Sequence, residues 1–325
     1  MEYKKIVIAG GGILGSQIAF QSAYCGYDVT ILIREEDSKE DVEEKLNKLK
    51  DTYKETINLM SKEGIKESAS WARGIASVEK FDKNECLDKV KTAIENIKIE
   101  TNQEVALSDA DLVIESITEN FDVKVAFYKQ IAPLLPEKTV IVTNSSTLLP
   151  SKLAKYTGRG EKYLSLHFAN SIWKNNIAEV MRHSDTDEKY FNEIIAFAES
   201  INMIPLAARE EKSGYLLNSM LVPFLLSAMD LLANGISDAE TIDKAWTLGT
   251  GAPKGPFQII DTVGLITAKN IVEQYQKVPN IFDPILKKMM LPYNYDGMLR
   301  ILNEYIEKGK LGKSTGEGFY KYDEK

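Results

Sequence analysis

Apolar residues in the first half of the chain fall into short continuous runs separated by stretches with helical spacing. The runs are Lys5-Ile-Val-Ile-Ala9, Val29-Thr-Ile-Leu-Ile33, Asp111-Leu-Val-Ile-Glu115, Thr139-Val-Ile-Val-Thr143 and Tyr163-Leu-Ser-Leu-His167. Continuous Val/Ile-rich runs are what strands covered on both faces look like. Their alternation with helices predicts a parallel, doubly wound α/β sheet. Glu179-Val-Met-Arg182 and Met203-Ile-Pro-Leu-Ala207 read as further strands. Between Ser38 and about Lys98 the chain is dense in Lys, Glu and Asp, with Leu46, Leu49, Tyr53, Ile57 and Leu59 at helical spacing. That pattern predicts an inserted helical hairpin, either a solvated arm or a substrate-handling element. After about Ala208 the strand signal stops and helical periodicity runs through Tyr215–Asn234, Ala239–Leu248, Thr267–Tyr275 and Met298–Lys308. The expected layout is an α/β domain over 1–206, with the arm at about 38–98, and a smaller all-α domain over 207–325.

Composition narrows the class. The chain has 325 residues, 44% hydrophobic, with a net charge of −8. It has no basic tail, so neither nucleic acid nor an anionic membrane is expected as a partner. The Leu-rich stretch Tyr215–Ala233 is interrupted by Asn218, Ser219, Pro223, Ser227 and Asp230, which favours a buried helix over a membrane span. Two cysteines, Cys25 and Cys86, supply neither a metal cluster nor a disulfide framework and suit a reducing, cytoplasmic setting. A strand-like segment from Lys4 leaves no room for a signal peptide, on the same expectation.

Gly10-Gly11-Gly12-Ile13-Leu14-Gly15 contains G-x-G-x-x-G between a strand and an apparent helix (Ser16 to Tyr24). That context is the fingerprint of a Rossmann-type dinucleotide site. Gly10 permits the turn, Gly12 lets a pyrophosphate approach, and Gly15 lets helix and strand pack. Free N–H groups at the helix start, at Ile13 and Leu14, then face the phosphates. The second strand ends without the acidic residue that usually holds a ribose 2′-hydroxyl in NAD sites. Ile33 stands there and Arg34 follows, a guanidinium suited to the 2′-phosphate of NADP. Glu35, Glu36 and Asp37 come next and would repel that phosphate or bind the ribose, so NAD and NADP both stay open.

Ligands in open α/β sheets bind beyond the carboxyl ends of the strands. Those ends carry Asn144-Ser145-Ser146-Thr147, His167-Phe168-Ala169-Asn170, and Glu115 leading to Glu119-Asn120. A hydride-transferring alcohol dehydrogenase without zinc ligands needs a base near neutrality, and histidine is the usual choice. Only His167 and His183 are available. His183 sits in the polar stretch Arg182-His-Ser-Asp-Thr and reads as a surface residue, whereas His167 ends an apolar strand on the ligand side. Glu179, twelve residues after His167, either meets the imidazole or is an ordinary surface carboxylate.

Several motifs occur in a familiar order: the Gly-rich start, Asn-Ser-Ser-Thr, His-Phe-x-Asn, Glu-Val, Gly214-Tyr-Leu-Leu-Asn218, Gly255-Pro-Phe257 with Asp261-x-Val-Gly264, and Gly316-Glu-Gly-Phe-Tyr320. Together the chain resembles the 3-hydroxyacyl-CoA dehydrogenase family over essentially its whole length. Asn144–Pro150, Tyr156–Gly160 and Gly249–Phe257 look closest to its diketoreductase branch, which accepts β-dicarbonyl compounds that are not CoA thioesters. The resemblance implies that His167 is the general base or acid, Glu179 its orienting partner, Ser146 a hydrogen-bond donor to the reacting oxygen and Asn218 a substrate contact. It assigns Glu119, Lys124, Asn144 and Asn170 to the cofactor side, implies an NAD-linked enzyme of fatty acid metabolism, and makes the chain a homodimer with its active site between the domains. It also makes the 38–98 arm a cover for a CoA tail; Lys45, Lys48, Lys50 and Lys54 turned toward the cleft would suit a CoA phosphate, and turned to solvent would favour a small substrate. The chain departs from the family where Ser171-Ile-Trp-Lys-Asn-Asn follows Asn170, where Ser219 follows Asn218, and at Ile33.

Overall fold

The computed structural model describes residues 3–34, 39–66, 68, 71–277 and 293–322. Glu35, Glu36 and Asp37 lie outside them. The described residues form two compact units, Met1–Leu216 and Leu217–Lys325. The division expected at 206–207 thus falls at the start of the first helix of the second unit. The eighth strand runs to Ala208, and the turn after it packs within the first unit.

In the first unit, eight strands form one sheet in the order β3-β2-β1-β4-β5-β6-β7-β8. They are β1 (Lys5–Ala9), β2 (Asp28–Leu32), β3 (Ile97–Glu100), β4 (Leu112–Glu115), β5 (Val140–Thr143), β6 (Tyr163–Phe168), β7 (Ile177–Met181) and β8 (Ile204–Ala208). The first six run parallel, whereas β7 pairs antiparallel with β6 and β8 follows β7. The sheet is therefore not wholly parallel. The short loop from Phe168 to Ile177 cannot house a crossover helix, so the chain turns back on itself there. The sequence pattern missed β3, because Lys98 and Glu100 merge with the charged arm before it.

Both faces of the sheet are covered. Ile6 and Ile8 of β1 and Leu112 and Ile114 of β4 join one buried cluster, while Val7 and Val113 between them join the cluster on the opposite face. This period-two division explains why the strands read as unbroken apolar runs. Helix α1 (Ile13–Tyr24) is buried from Gly15 onward. It is covered by α2 (Lys39–Met60) and α3 (Lys83–Asn96), whose Val42, Leu46, Leu49, Tyr53, Ile57 and Val90 are part of the same core. The inserted hairpin is thus docked on the dinucleotide-type unit along its length rather than standing free in solvent.

The first unit's other helices are α4 (Gln103–Leu107), α5 (Phe121–Ile131), α6 (Pro150–Ala154) and α7 (Glu188–Ser200). The second unit holds α8 (Leu217–Ala233), α9 (Ala239–Thr250), α10 (Pro256–Val263), α11 (Leu265–Gln276) and α12 (Tyr295–Glu307) around Leu226, Phe257, Ile260, Met298 and Leu302. Two buried aspartates tie its parts together. Asp243 accepts the N–H groups of Phe257 and Gln258 and the hydroxyl of Tyr320, at 2.8, 3.1 and 2.9 Å. Asp261 accepts the N–H groups of Phe319 and Tyr320 and the Tyr322 hydroxyl, at 2.8, 2.9 and 3.0 Å. The Gly255-Pro-Phe257, Asp261 and Gly316–Tyr320 motifs therefore clip the last segment onto the helices. No described helix is long and apolar enough to cross a membrane.

Candidate active site

Strand order reverses between β1 and β4, and the crevice beyond that point is where such sheets bind dinucleotides. Gly10 sits there at φ 112°, and a Cβ on it would lie 2.5 Å from the Ser116 carbonyl oxygen past β4. No other residue fits that approach. At Gly12 an added Cβ would meet nothing within 4 Å, so the backbone faces open space. Helix α1 starts at that point with no side-chain cap and no acidic residue in its first turn. Its leading N–H groups, those of Ile13, Leu14 and Gly15, are the donors an anionic pyrophosphate takes. These features fit a nicotinamide dinucleotide.

Around this crevice the helical arm makes an unexpected contact. Val42 packs so closely over Gly11 that an added Cβ would come within 2.4 Å of its methyl. One turn on, the Lys45 ammonium pairs with Asp41 and donates to the Gly11 carbonyl at 3.3 Å. Lys48 pairs with Glu44 and Lys50 donates to Asn47, both within α2. Arg34, at the end of β2, is exposed.

At the carboxyl end of β4, buried Glu115 is fully partnered. One oxygen accepts Lys124 at 2.5 Å and the Ile117 N–H at 2.9 Å, and the other accepts the hydroxyls of Tyr128 and Thr143, each at 2.8 Å. Lys124 is 1% exposed, and its ammonium lies between Glu115 and Glu119. Glu119 in turn accepts Ser145 Oγ at 2.6 Å, the Thr147 N–H at 2.9 Å and Thr147 Oγ1 at 2.7 Å. Burial raises the affinity of Glu119 for a proton, but those donors and the Lys124 charge outweigh it and hold the carboxyl below its usual range. The loop on either side of Ser146 is thereby fixed. Asn144 accepts the Phe168 N–H at 3.0 Å and donates to Ser116 Oγ at 3.3 Å, tying the ends of β4, β5 and β6 together. Asn170 is exposed beyond β6, and its carbonyl accepts the Asn175 side chain at 2.8 Å.

Antiparallel pairing sets His167 directly opposite Glu179. Glu179 Oε2 is 3.1 Å from His167 Nδ1, and Ser146 Oγ is 3.0 Å from Nε2. An ionised carboxylate can only accept, so Nδ1 carries the hydrogen and Nε2 presents its lone pair to the Ser146 hydroxyl. The Ser146–His167–Glu179 line joins the loop after β5, the end of β6 and the middle of β7, and Ser146 is half-buried. Asn218 belongs to the second unit, in the first turn of α8. His183 is 3% exposed, not on the surface. Its polar neighbours mislead because they cap the opposite end of the sheet. Tyr215, within the Gly214–Asn218 motif, was given no role there: its ring stacks on His167 at a centroid distance of 4.6 Å and an interplanar angle of 11°. Its position two residues after Ser213 and one after Gly214 carries no periodic signal that would have singled it out.

A nucleotide-holding crevice beside a hydroxyl, an imidazole and a carboxylate in line defines an NAD-binding oxidoreductase that acts on an alcohol or carbonyl. The profile of the "3-hydroxyacyl-CoA dehydrogenase, NAD binding domain" matches residues 5–211, and that of the "3-hydroxyacyl-CoA dehydrogenase, C-terminal domain" matches residues 214–322. The chain belongs to the 3-hydroxyacyl-CoA dehydrogenase family. It is 30% identical to the mitochondrial hydroxyacyl-coenzyme A dehydrogenase of Sus scrofa over 98% of this chain and 91% of that one. It is also 30% identical to a probable 3-hydroxybutyryl-CoA dehydrogenase of Bacillus subtilis, over 100% and 99%. Among solved structures it is similar to a diketoreductase described for substrate-directed dual catalysis of dicarbonyl compounds, with 41% identity, a TM-score of 0.78 and coverage of 99% and 100%.

Proposed function

We propose that this chain interconverts a 3-hydroxyacyl compound and its 3-oxoacyl partner, with His167 as the proton-transfer group. The carrying observation is the line Ser146 Oγ, His167 Nε2 at 3.0 Å, and Glu179 Oε2 at 3.1 Å from Nδ1. The bound nicotinamide supplies or accepts the hydride. In oxidation, His167 Nε2 takes the substrate hydroxyl proton while Ser146 holds that oxygen in place. Glu179 stabilises the imidazolium that results. In reduction the same nitrogen returns the proton. Glu119 and Lys124 serve by holding the Ser145–Thr147 loop, Asn144 by aligning the strand ends, and Asn170 by lining the nicotinamide side. Asn218 is a further proposed substrate contact.

A second reading, a free β-dicarbonyl or 3-hydroxy acid substrate, is favoured by the arm lysines. Lys48 and Lys50 are engaged on their own helix and Lys45 on the Gly11 turn, which leaves little of the phosphate-binding set expected for a CoA tail. The likeness to diketoreductase supports it as well. Initial rates with acetoacetyl-CoA, an acetoacetate ester and a diketo ester, each with NADH and NADPH, decide the matter. A preference for the thioester of more than tenfold upholds the CoA reading, and the reverse upholds the second. An NADPH preference above ~10-fold, a gain of over ~1.4 kcal/mol, assigns Arg34 to a 2′-phosphate, whereas parity leaves it outside. NADH binding without turnover on any substrate would replace both readings with a dinucleotide-binding structural role.

Exposed Met220, Trp246, Leu248 and Ile266 on the helical unit support a homodimer, because apolar side chains of this number on one unit are costly to leave in water. Sedimentation of the pure protein as a monomer would remove that proposal. The cytoplasm is the proposed compartment, in keeping with free Cys25 and Cys86, and fractionation tests it.

A further inference from the structure

The turn before α8 adopts an unfavourable backbone conformation. Gly214 lies at φ 81° and Tyr215 at φ 52°, in the left-handed region. A bulky aromatic residue rarely tolerates that region unless its surroundings hold it there. Tyr215 is 1% exposed. Its ring covers the face of the His167 imidazole, 4.6 Å between centroids and nearly parallel at 11°. Its hydroxyl donates to the Ser145 carbonyl at 2.7 Å, one residue before Ser146. The next N–H, that of Leu216, donates at 3.0 Å to Glu179 Oε1, the carboxylate oxygen that His167 does not use. Two consecutive residues thus reach all three members of the proton-transfer line: the ring face, the second carboxylate oxygen and the backbone beside the hydroxyl.

We infer that Tyr215 and Leu216 are positioning residues of this site, clamping the His167–Glu179 pair and stabilising the imidazolium across the Tyr215 ring face. The inference rests on His167 being the proton-transfer group. A flat contact fixes the ring plane, so Nε2 stays aimed at Ser146 through the cycle. The face of an aromatic ring also attracts a cation, and charge appears on His167 only when it takes the proton. The backbone N–H on Glu179 keeps that carboxylate turned toward Nδ1. The charged groups facing this corner are Glu179 on β7, Glu115 at the end of β4 and Glu119 beyond it, with the Lys124 ammonium between the last two. Burial first, then the charges of Glu119, Glu179 and Glu115, keep the Tyr215 phenol well above its usual range, so it contributes a neutral ring. The strain at Tyr215 is what a clamp held by its surroundings would carry, and a spacer at this point would not need it.

The test is the pH dependence of the oxidation rate in Tyr215→Phe, Tyr215→Met and His167→Gln, with NADH affinity measured by fluorescence in each. Tyr215→Phe keeps the ring, so the acid limb of its profile stays in place. Tyr215→Met fills the space without a π face, so kcat falls about 2- to 30-fold and the limb moves to lower pH, because the imidazolium is less favoured. NADH affinity stays the same in both. An unmoved limb and unchanged kcat in Tyr215→Met would overturn the clamp, as would Tyr215→Phe proving as impaired as Tyr215→Met. If Tyr215→Met does not fold, Tyr215→Leu takes its place with the same expectations. His167→Gln separates the two levels: retained turnover there removes the base itself, whereas its loss beside an unmoved limb in Tyr215→Met removes only the clamp.

Discussion

The chain's two histidines sit at opposite ends of the same strand pair, and the proposed function gives proton transfer to only one of them. Both are buried, at 9% for His167 and 3% for His183. His167 lies where β6 ends, between a carboxylate and a hydroxyl. His183 lies just past β7, beside the start of β6, with Nε2 3.1 Å from the Gly160 carbonyl and Nδ1 accepting the Asp185 N–H at 3.3 Å. A carbonyl only accepts and an N–H only donates, so His183 carries its hydrogen on Nε2, the reverse of His167. A second proton on His183 would set N–H against N–H at Asp185. A second proton on His167 meets a hydroxyl that can turn from donor to acceptor. Burial does not tell the two rings apart; a partner that can reverse its role does.

The widest gap between the two should be in turnover. His167→Gln is expected to lose about 10²–10⁴-fold in kcat with NADH binding intact, while His183→Gln keeps its rate. Equal losses in steady-state assays would erase the distinction. Next comes Ser146→Ala, which removes one donor at the reacting oxygen and should cost on the order of 10² in kcat; a change in KM alone would place Ser146 in substrate binding instead. Glu179→Gln should slow oxidation about tenfold, within the range for lost transition-state charge stabilisation. It should also move the acid limb to lower pH, since the imidazolium loses its counter-charge. A limb left in place would disconnect Glu179 from the base.

The closed end of the sheet should show its effects in stability. His183→Leu leaves the Gly160 carbonyl and the Asp185 N–H without the ring and is expected to cost about 1–3 kcal/mol in denaturant unfolding, with kcat preserved. Asp111 lies at that end too, accepting the N–H groups of Lys4 and Lys5 at 2.8 and 2.9 Å and an ion pair from Lys138 at 2.6 Å. Burial opposes ionisation of Asp111, but Lys138 and the two N–H groups prevail and hold its carboxyl below the usual range. A carboxyl depressed in the folded state adds stability above its unfolded value, near ~4, and loses it as pH falls through the folded value. Unfolding of Asp111→Asn in acid should therefore lack part of the wild-type decline, the smallest effect in this series. An identical decline in both would detach Asp111 from it.

Much of this architecture was legible as pattern. The β1, β4 and β5 runs read correctly because a strand buried on both faces shows no polar break. The G-x-G-x-x-G turn and the strand-end positions of Ser146 and His167 followed from local order. What failed to show depended on contacts across the sheet. The reversal of β7 comes from a loop too short for a helix, and β3 is hidden by its charged neighbours. His183 looked solvated because its ring is satisfied by backbone atoms, one of them the Gly160 carbonyl on a different segment of the chain. Glu179 could not be separated from a surface carboxylate until register set it opposite His167. Tyr215 appeared only as part of a motif, since its value lies in a strained turn and a stacked ring.

With only two histidines in the chain, a two-bond proton–nitrogen spectrum in mildly alkaline buffer reads both rings at once. The account predicts one ring hydrogenated at Nδ1 and the other at Nε2, with the Nδ1 ring absent from His167→Gln and alone shifting when NADH and a substrate analogue are added. Two rings hydrogenated at Nε2, or a response confined to the ring that survives in His167→Gln, would contradict it.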